Sequence, residues 1–320
     1  MGLAFCLPLL LGACDQGGTV EGKVSDARAR NDGPAIWTVR DHDSTLFMFG
    51  TVHLLSPEID WIRADMDAIF RTAGTVFFEI DTGPKAQIDA VVMTQSLGFR
   101  TDGLRLSDQL DSYQLKLLDA AANNGDISLA SLDTMKPWLA SEFLTVAAAV
   151  NSGLLPELSA DEALKSRAAA QGKNILYLDT MSGQITRASR QAPEVQNKLL
   201  TDTLEGFNTL GSDISKVAQA WSVGQTRYLT RELIDEAKAR SPEFYRQFFT
   251  EVNTDWAAPL TRFMEGSGTG FAAVGIGHLL GDQSLLEIMR EQGYEVQRHY
   301  AFKGEAVIET VPLRSVNGED

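Results

Sequence analysis

Two short elements hold the residues best suited to chemistry. Leu46 to His53 (L-F-M-F-G-T-V-H) is an apolar run that stops at Gly50 and presents a histidine three residues later. Phe271 to His278 (F-A-A-V-G-I-G-H) has the same form, stopping at Gly275. The chain has 4 histidines, and two of them end these G-x-x-H elements near its opposite ends. Glycine lets a chain turn sharply as it leaves a strand, so each imidazole can project into a crevice. A carboxylate at the end of an apolar strand is expensive unless it is paired or bound to metal. Glu79 closes such a run (T-V-F-F-E-I), and Asp179 closes another (N-I-L-Y-L-D). Two imidazoles and a carboxylate suit a divalent ion such as Mn, Co or Zn, which could activate water for hydrolysis. His53, His278 and Glu79 are the candidate ligands. Glu79 and Asp179 are the candidate catalytic carboxylates, either one serving as third ligand or general base. Equally open at this point are a histidine capping a helix, a metal-free His–Glu acid–base pair, and a Glu79 that emerges from the sheet into solvent. Other signatures are missing: there is no G-x-S-x-G, Walker A, H-E-x-x-H or strand-following G-x-G-x-x-G.

The elements that would position these residues are legible in outline. Ala35–Arg40 and Thr45–Gly50 alternate around the Asp41–Ser44 turn as a β-hairpin. His42 lies in that turn and has no expected role. A helix over about 60–72, stopped by Gly74, leads to a strand over 75–80; this is a βαβ signal for a parallel pair. Helices follow up to about Asn123, over 139–151 and over 159–170. A strand at 174–178 then leads through Thr180–Gln184 into a loop. From about Pro193 to Met264 the pattern is helical, with boundaries expected near Asp202, Asp213, Thr226 and Ser241. Trp221 and Trp256 are expected as core anchors there. Gly266–Gly270 reads as a flexible connection before the 271–275 strand, because a phosphate loop would lie between a strand and a helix. A helix over 284–292 and strands at 294–298 and 305–311 close the chain. The expected fold is α/β (α+β): a central mixed sheet with βαβ units, a large helical insertion and a paired set of G-x-x-H halves.

The composition restricts partners. At 320 residues with 44% hydrophobic and 22% charged residues, the chain can bury a full core. A formal net charge of −15 disfavours nucleic acid, whose phosphates demand clustered Lys and Arg. It likewise disfavours binding to anionic lipid through the protein surface. The expected partner is a peptide or small-molecule substrate of unidentified structure.

Both cysteines, Cys6 and Cys14, fall in the N-terminal segment, so the rest of the chain can form neither a disulfide nor a zinc–thiolate site. Leu3–Ala13 is apolar but too short to span a bilayer. Leu11-Gly12-Ala13-Cys14 resembles a bacterial lipobox, although the usual basic residues before the apolar run are missing. The expectation is a signal peptide over 1–14, lipidation at Cys14, a polar tether over 15–33, the main domain over 34–313 and a loose tail over 314–320. The protein would then be a periplasm-facing lipoprotein of the bacterial cell envelope, attached to the membrane through its lipid anchor. Asp15 resembles an inner-membrane retention signal, a rule that does not hold in all bacteria.

The blocks I-W-T-V-R, L-F-M-F-G-T-V-H-L-L, F-F-E-I-D, M-K-P-W and F-A-A-V-G-I-G-H-L-L-G-D together resemble the TraB/PrgY/GumN family, over about Ile36 to Arg298. That family is related to the Tiki proteins and, more remotely, to erythromycin-esterase-like and ChaN-like haem-binding domains. The resemblance implies a central sheet with a helical half, and a site of His53, His278 and Glu79. Because Tiki members are divalent-metal-dependent proteases, it also implies a metal-dependent hydrolase acting on peptide bonds. There are two departures. The family's L-E-T with a following Gln is here Leu178-Asp179-Thr180 with Gln184. Its R-N-x-x-W element is here Val252-Asn253-Thr254-Asp255-Trp256, with Arg262 as a candidate stand-in for the arginine. Losing a transition-state donor costs on the order of 10²–10³ in rate. A non-catalytic member binding a peptide or haem-like ligand therefore stands beside the hydrolase, as does a metal-free esterase using a His–Glu pair.

Overall fold

The computed structural model describes residues 33–300. The lipobox, the tether, the 305–311 strand and the C-terminal tail lie outside the described residues. Six strands form one mixed sheet: β1 (Ile36–Arg40), β2 (Ser44–Thr51), β3 (Thr75–Ile80), β4 (Asn174–Asp179), β5 (Gly268–Gly275) and β6 (Glu295–His299), in the order β4-β3-β5-β2-β1-β6. The first hairpin forms as its pattern predicts. Asp41 Oδ1 accepts the backbone N–H of Ser44 at 2.8 Å and that of Asp43 at 3.2 Å, which closes the turn.

The βαβ expectation needs one correction. Helix α1 (Ala64–Thr72) does connect β2 to β3, but the two strands are not neighbours. β5 lies between them and pairs with both in parallel. Local pattern identifies strands; it does not reveal a strand inserted from the far end of the chain.

The helical half comprises α2 (Pro84–Gly98), α3 (Ser112–Asn124), α4 (Leu129–Asp133), α5 (Pro137–Asn151), α6 (Ala160–Ala170), α7 (Met181–Ser189) and α8 (Pro193–Ser222). Beyond these come α9 (Thr226–Leu229), α10 (Glu236–Arg240), α11 (Pro242–Tyr245), α12 (Glu251–Met264) and α13 (Leu285–Glu291). A π-helical segment, Thr230–Asp235, joins α9 to α10, and a second, Arg246–Thr250, joins α11 to α12.

Three expectations change here. Thr180 does not lead into a loop: its hydroxyl accepts the Gly183 N–H and caps α7. Asp202 and Asp213 do not start helices. They form ion pairs with Lys198 and Lys216 along α8, which runs unbroken for 30 residues. The break comes at Gly224, whose φ of +76° suits glycine. Finally, Gly268–Gly270 is the opening stretch of β5 rather than a connection, because Ser44, Thr45 and Leu46 pair with it.

An aromatic cluster joins sheet to helices. Phe49 lies 5.7 Å from Trp61, 6.2 Å from Trp221 and 5.9 Å from Phe271, centroid to centroid. Trp221 is fully buried, and its indole N–H donates to the Gly50 carbonyl at 2.6 Å. The long helix is thereby tied to the glycine at which β2 turns. Trp221→Phe keeps most of the packing but leaves that carbonyl without its donor, a loss of about 1–3 kcal/mol. Urea unfolding should show a midpoint lowered by that loss divided by the slope, with the slope itself unchanged.

Candidate functional site

The register of the sheet brings the two G-x-x-H elements together. β2 and β5 run parallel, with Gly50 opposite Val274 and Thr51 opposite Gly275. Both elements therefore leave neighbouring strands at the same edge. β3 flanks β5 on the other side in the same direction, so Glu79 reaches that edge as well. This is the carboxyl end of the parallel strands, where open α/β sheets bind ligands.

Two close approaches require glycine. A Cβ on Gly50 would meet Ile276 Cδ1 at 2.2 Å. A Cβ on Gly275 would lie 3.0 Å from Glu79 Oε1 and 3.6 Å from both His53 Nε2 and His278 Cδ2. The three predicted site residues thus converge on one point. Glu79 is buried and accepts the backbone N–H of Gly275. Its other oxygen lies 3.9 Å from His53 Nε2.

Each imidazole is held from behind through Nδ1. His53 Nδ1 is 2.9 Å from Asp161 Oδ2, and Asp161 Oδ1 accepts the Thr51 hydroxyl at 2.7 Å. His278 Nδ1 is 2.7 Å from Asn253 Oδ1, and the His278 ring lies 4.5 Å from Trp256 and 5.3 Å from Phe249. Both partner oxygens are acceptors, so each Nδ1 carries its proton and each Nε2 faces the cleft. Asn253 and Trp256, three residues apart on α12, act together: one bonds the ring edge and the other covers its face. Trp256 is thus both a core anchor and a support for the site.

The two histidines are in opposite charge states. Burial would lower the His53 pKa, but the adjacent Asp161 carboxylate, with Glu79 beyond it, raises it to about 9. Burial lowers the His278 pKa to about 3, aided by positive His53 and by Arg187. Burial raises the Glu79 carboxyl above the usual range, against the pull of His53. Asp161 is held below that range because His53 and Thr51 outweigh its burial. The His53 side chain is 32% exposed, so water at the cleft mouth screens this group of charges.

The cleft measures about 740 Å³ out to open solvent. Its polar groups are Thr51, His53, Glu79 and His278; Val52, Leu54, α8 and the two π segments supply apolar walls.

Asp179 is placed differently from the other site candidates. It does not line the cleft: its carboxylate pairs with Arg187 at 3.1 Å and accepts the Thr180 N–H at 2.7 Å. Gln184 is buried in α7. The second carboxylate of the site is Asp161, bonded to His53, and the sequence alone marks it only as part of the first turn of a helix. Its one local signal is an acid in the first turn after the Ser159 cap, and Glu162 beside it carries the same signal. Val252, where an arginine would stand, is buried, and Arg262 is exposed about 15 Å further along α12. Elsewhere, Asp41, His42 and Asp43 form an exposed group with donor atoms within 4.8 Å of one another. Those of His53, Glu79 and His278 do not all lie that close, so holding an ion requires their side chains to close on it.

The chain belongs to the TraB/PrgY/gumN family, whose sequence model matches residues 35–298. No curated protein and no solved structure matches it.

Asp161→Asn removes the charge that keeps His53 protonated. In an NMR titration the His53 midpoint should fall from about 9 towards its ordinary value of 6.5. The folded-state pKa is raised, so the stabilisation is complete below pH 6.5 and lost as pH rises through 9. Unfolding of the metal-free variant should therefore depend less on pH across that window than unfolding of the native chain.

Proposed function

We propose that the cleft is a metal-dependent hydrolytic site acting on amide bonds of a peptide. The observation that carries this reading is the tautomer arrangement. Two imidazoles have Nδ1 directed at Asp161 and Asn253, which turns each Nε2 to the cleft beside Glu79; neutral His278 has its Nε2 lone pair free, and His53 would release its Nε2 proton as an ion binds. This is the outer-shell pattern of metal-ligating histidines. His53, His278 and Glu79 would hold the ion. A divalent ion so held would polarise a carbonyl and lower the pKa of a water at neutral pH.

The chain's own groups account for the rest. Asp161 fixes His53, and Asn253 and Trp256 orient His278. Burial keeps His278 neutral, so its Nε2 lone pair is available over the whole physiological range. Oε1 of Glu79 is held by the Gly275 N–H, so Oε2 is the oxygen free either to complete the ion's ligand set or, with the ion on the two histidines, to take up and release a proton. The apolar walls keep bulk water from the floor.

Two other readings each have an observation in their favour. Val252 supplies no cation where the family has arginine, which favours a binding protein for a peptide or haem-like ligand. The Asp161–His53–Glu79 alignment favours a metal-free esterase. Metal analysis separates these readings from the first. Purified protein incubated with Mn²⁺, Co²⁺ or Zn²⁺ should retain about one ion per chain after desalting, and the His53→Ala/His278→Ala variant should retain none. Equal, negligible metal in both would reject the metal reading.

Anchoring through Cys14 in the cell envelope belongs to the same proposal and rests on the Leu11–Cys14 pattern. Among the described residues no helix is long and apolar enough to cross a membrane. Metabolic labelling with a palmitate analogue should mark the native chain and leave Cys14→Ser unlabelled.

A further inference from the structure

We propose that the apolar half of the cleft is a pocket for one bulky, uncharged aliphatic or aromatic side chain of the substrate, next to the bond acted on. The proposal rests on the reading of the cleft as a substrate site. Six residues form this half: Ile214, Val217 and Ala218 from α8, Leu233, Phe249 and Ile276. All six are buried, so the walls are set by packing and not by mobile surface chains.

Two observations, independent of the metal, point to this occupant. The first is how the walls are made. Leu233 and Phe249 come one from each of the two π-helical segments among the described residues. A π turn adds a residue to the helix and rotates the residues after it, and such turns recur at functional sites. Here each turn delivers one large apolar residue to the same cleft. Ala218, between Ile214 and Trp221 on α8, is the small residue that leaves room opposite them.

The second is charge. The carboxylates of Glu79 and Asp161 lie at the polar end, and the chain as a whole carries −15. The neighbouring cations are engaged: Lys165 Nζ with Glu162 at 3.1 Å and Thr82 at 3.3 Å, and Arg187 with Asp179. An anionic side chain would lose its hydration against the apolar walls, since His53, the cation of the cleft, is already paired with Asp161. A cationic one would lose its hydration against walls that offer no partner. An uncharged apolar group has neither penalty and gains from burial.

The test uses the full-length, metal-supplemented protein and N-acetyl-Ala-X-Ala-amide probes, with X as Phe, Leu, Gly, Asp or Lys. Calorimetry gives the Kd, and mass spectrometry of the same mixtures reports cleavage. Probes with Phe or Leu should bind on the order of tenfold or more tightly than those with Gly, Asp or Lys. Ala218→Leu should abolish that preference, and Leu233→Ala should weaken the Leu probe relative to the Phe probe. Circular dichroism confirms that each variant is folded, and the second variant serves if the first is not. Equal affinity across X, a preference for Asp or Lys, or no binding of any probe overturns the pocket. Apolar preference without cleavage leaves the pocket standing and removes the hydrolase reading; cleavage without preference does the reverse.

Discussion

The site depends on one backbone ladder, the parallel pairing of β2 with β5. Thr51 opposite Gly275 is the register that sets two distant histidines side by side. A slip of one residue would turn every side chain of β5 to the other face. It would also withdraw the Gly275 N–H from Glu79. The glycines at these turns leave little tolerance, because added methyl groups would strike Ile276 on one side and Glu79 on the other. Trp221 then fixes the turn from outside the sheet through the Gly50 carbonyl.

Given that ladder, the chain gives its two histidines different surroundings. His53 backs onto a carboxylate and keeps its proton; His278 backs onto a neutral amide under an indole and sheds its own. One site therefore presents a cationic imidazole and a neutral one beside two buried carboxylates, Glu79 and Asp161. In proteins without metal this asymmetry separates acid from base. In metal sites it sets how many protons leave when a ligand arrives. The same surroundings show that the Asn and Trp of the R-N-x-x-W element serve the histidine itself. The valine in place of the arginine leaves that support intact.

The features readable in the sequence are the local ones. A strand that ends in glycine and then histidine is visible in eight residues, and so is a glutamate closing an apolar run. His53, His278 and Glu79 were therefore legible, and they meet. Asp161 was not, because its role depends on where α6 lands relative to β2, more than a hundred residues earlier. Asp179 had the same local signature as Glu79 but the opposite surroundings. β4 is an edge strand, and α7 turns back to offer Arg187. The insertion of β5 between β2 and β3 is likewise a decision of the whole sheet. Within the helical half, Asp202 and Asp213 looked like starts because acids favour first turns. In the fold their lysine neighbours make them part of a continuous helix.

The order of the parts along the chain has a consequence for synthesis. Glu79, His53 and Asp161 all emerge early, but the strand that aligns them and the helix that supports the second histidine come after residue 250. Until β5 is available, the β4–β3 pair and the β2–β1 pair have no strand to join them, so Glu79 and His53 are not aligned. Non-local pairings of this kind form slowly, and domains settle only once their distant strands are available. The cleft is in this way completed only by the strand and helix that follow residue 250, a consequence of topology alone.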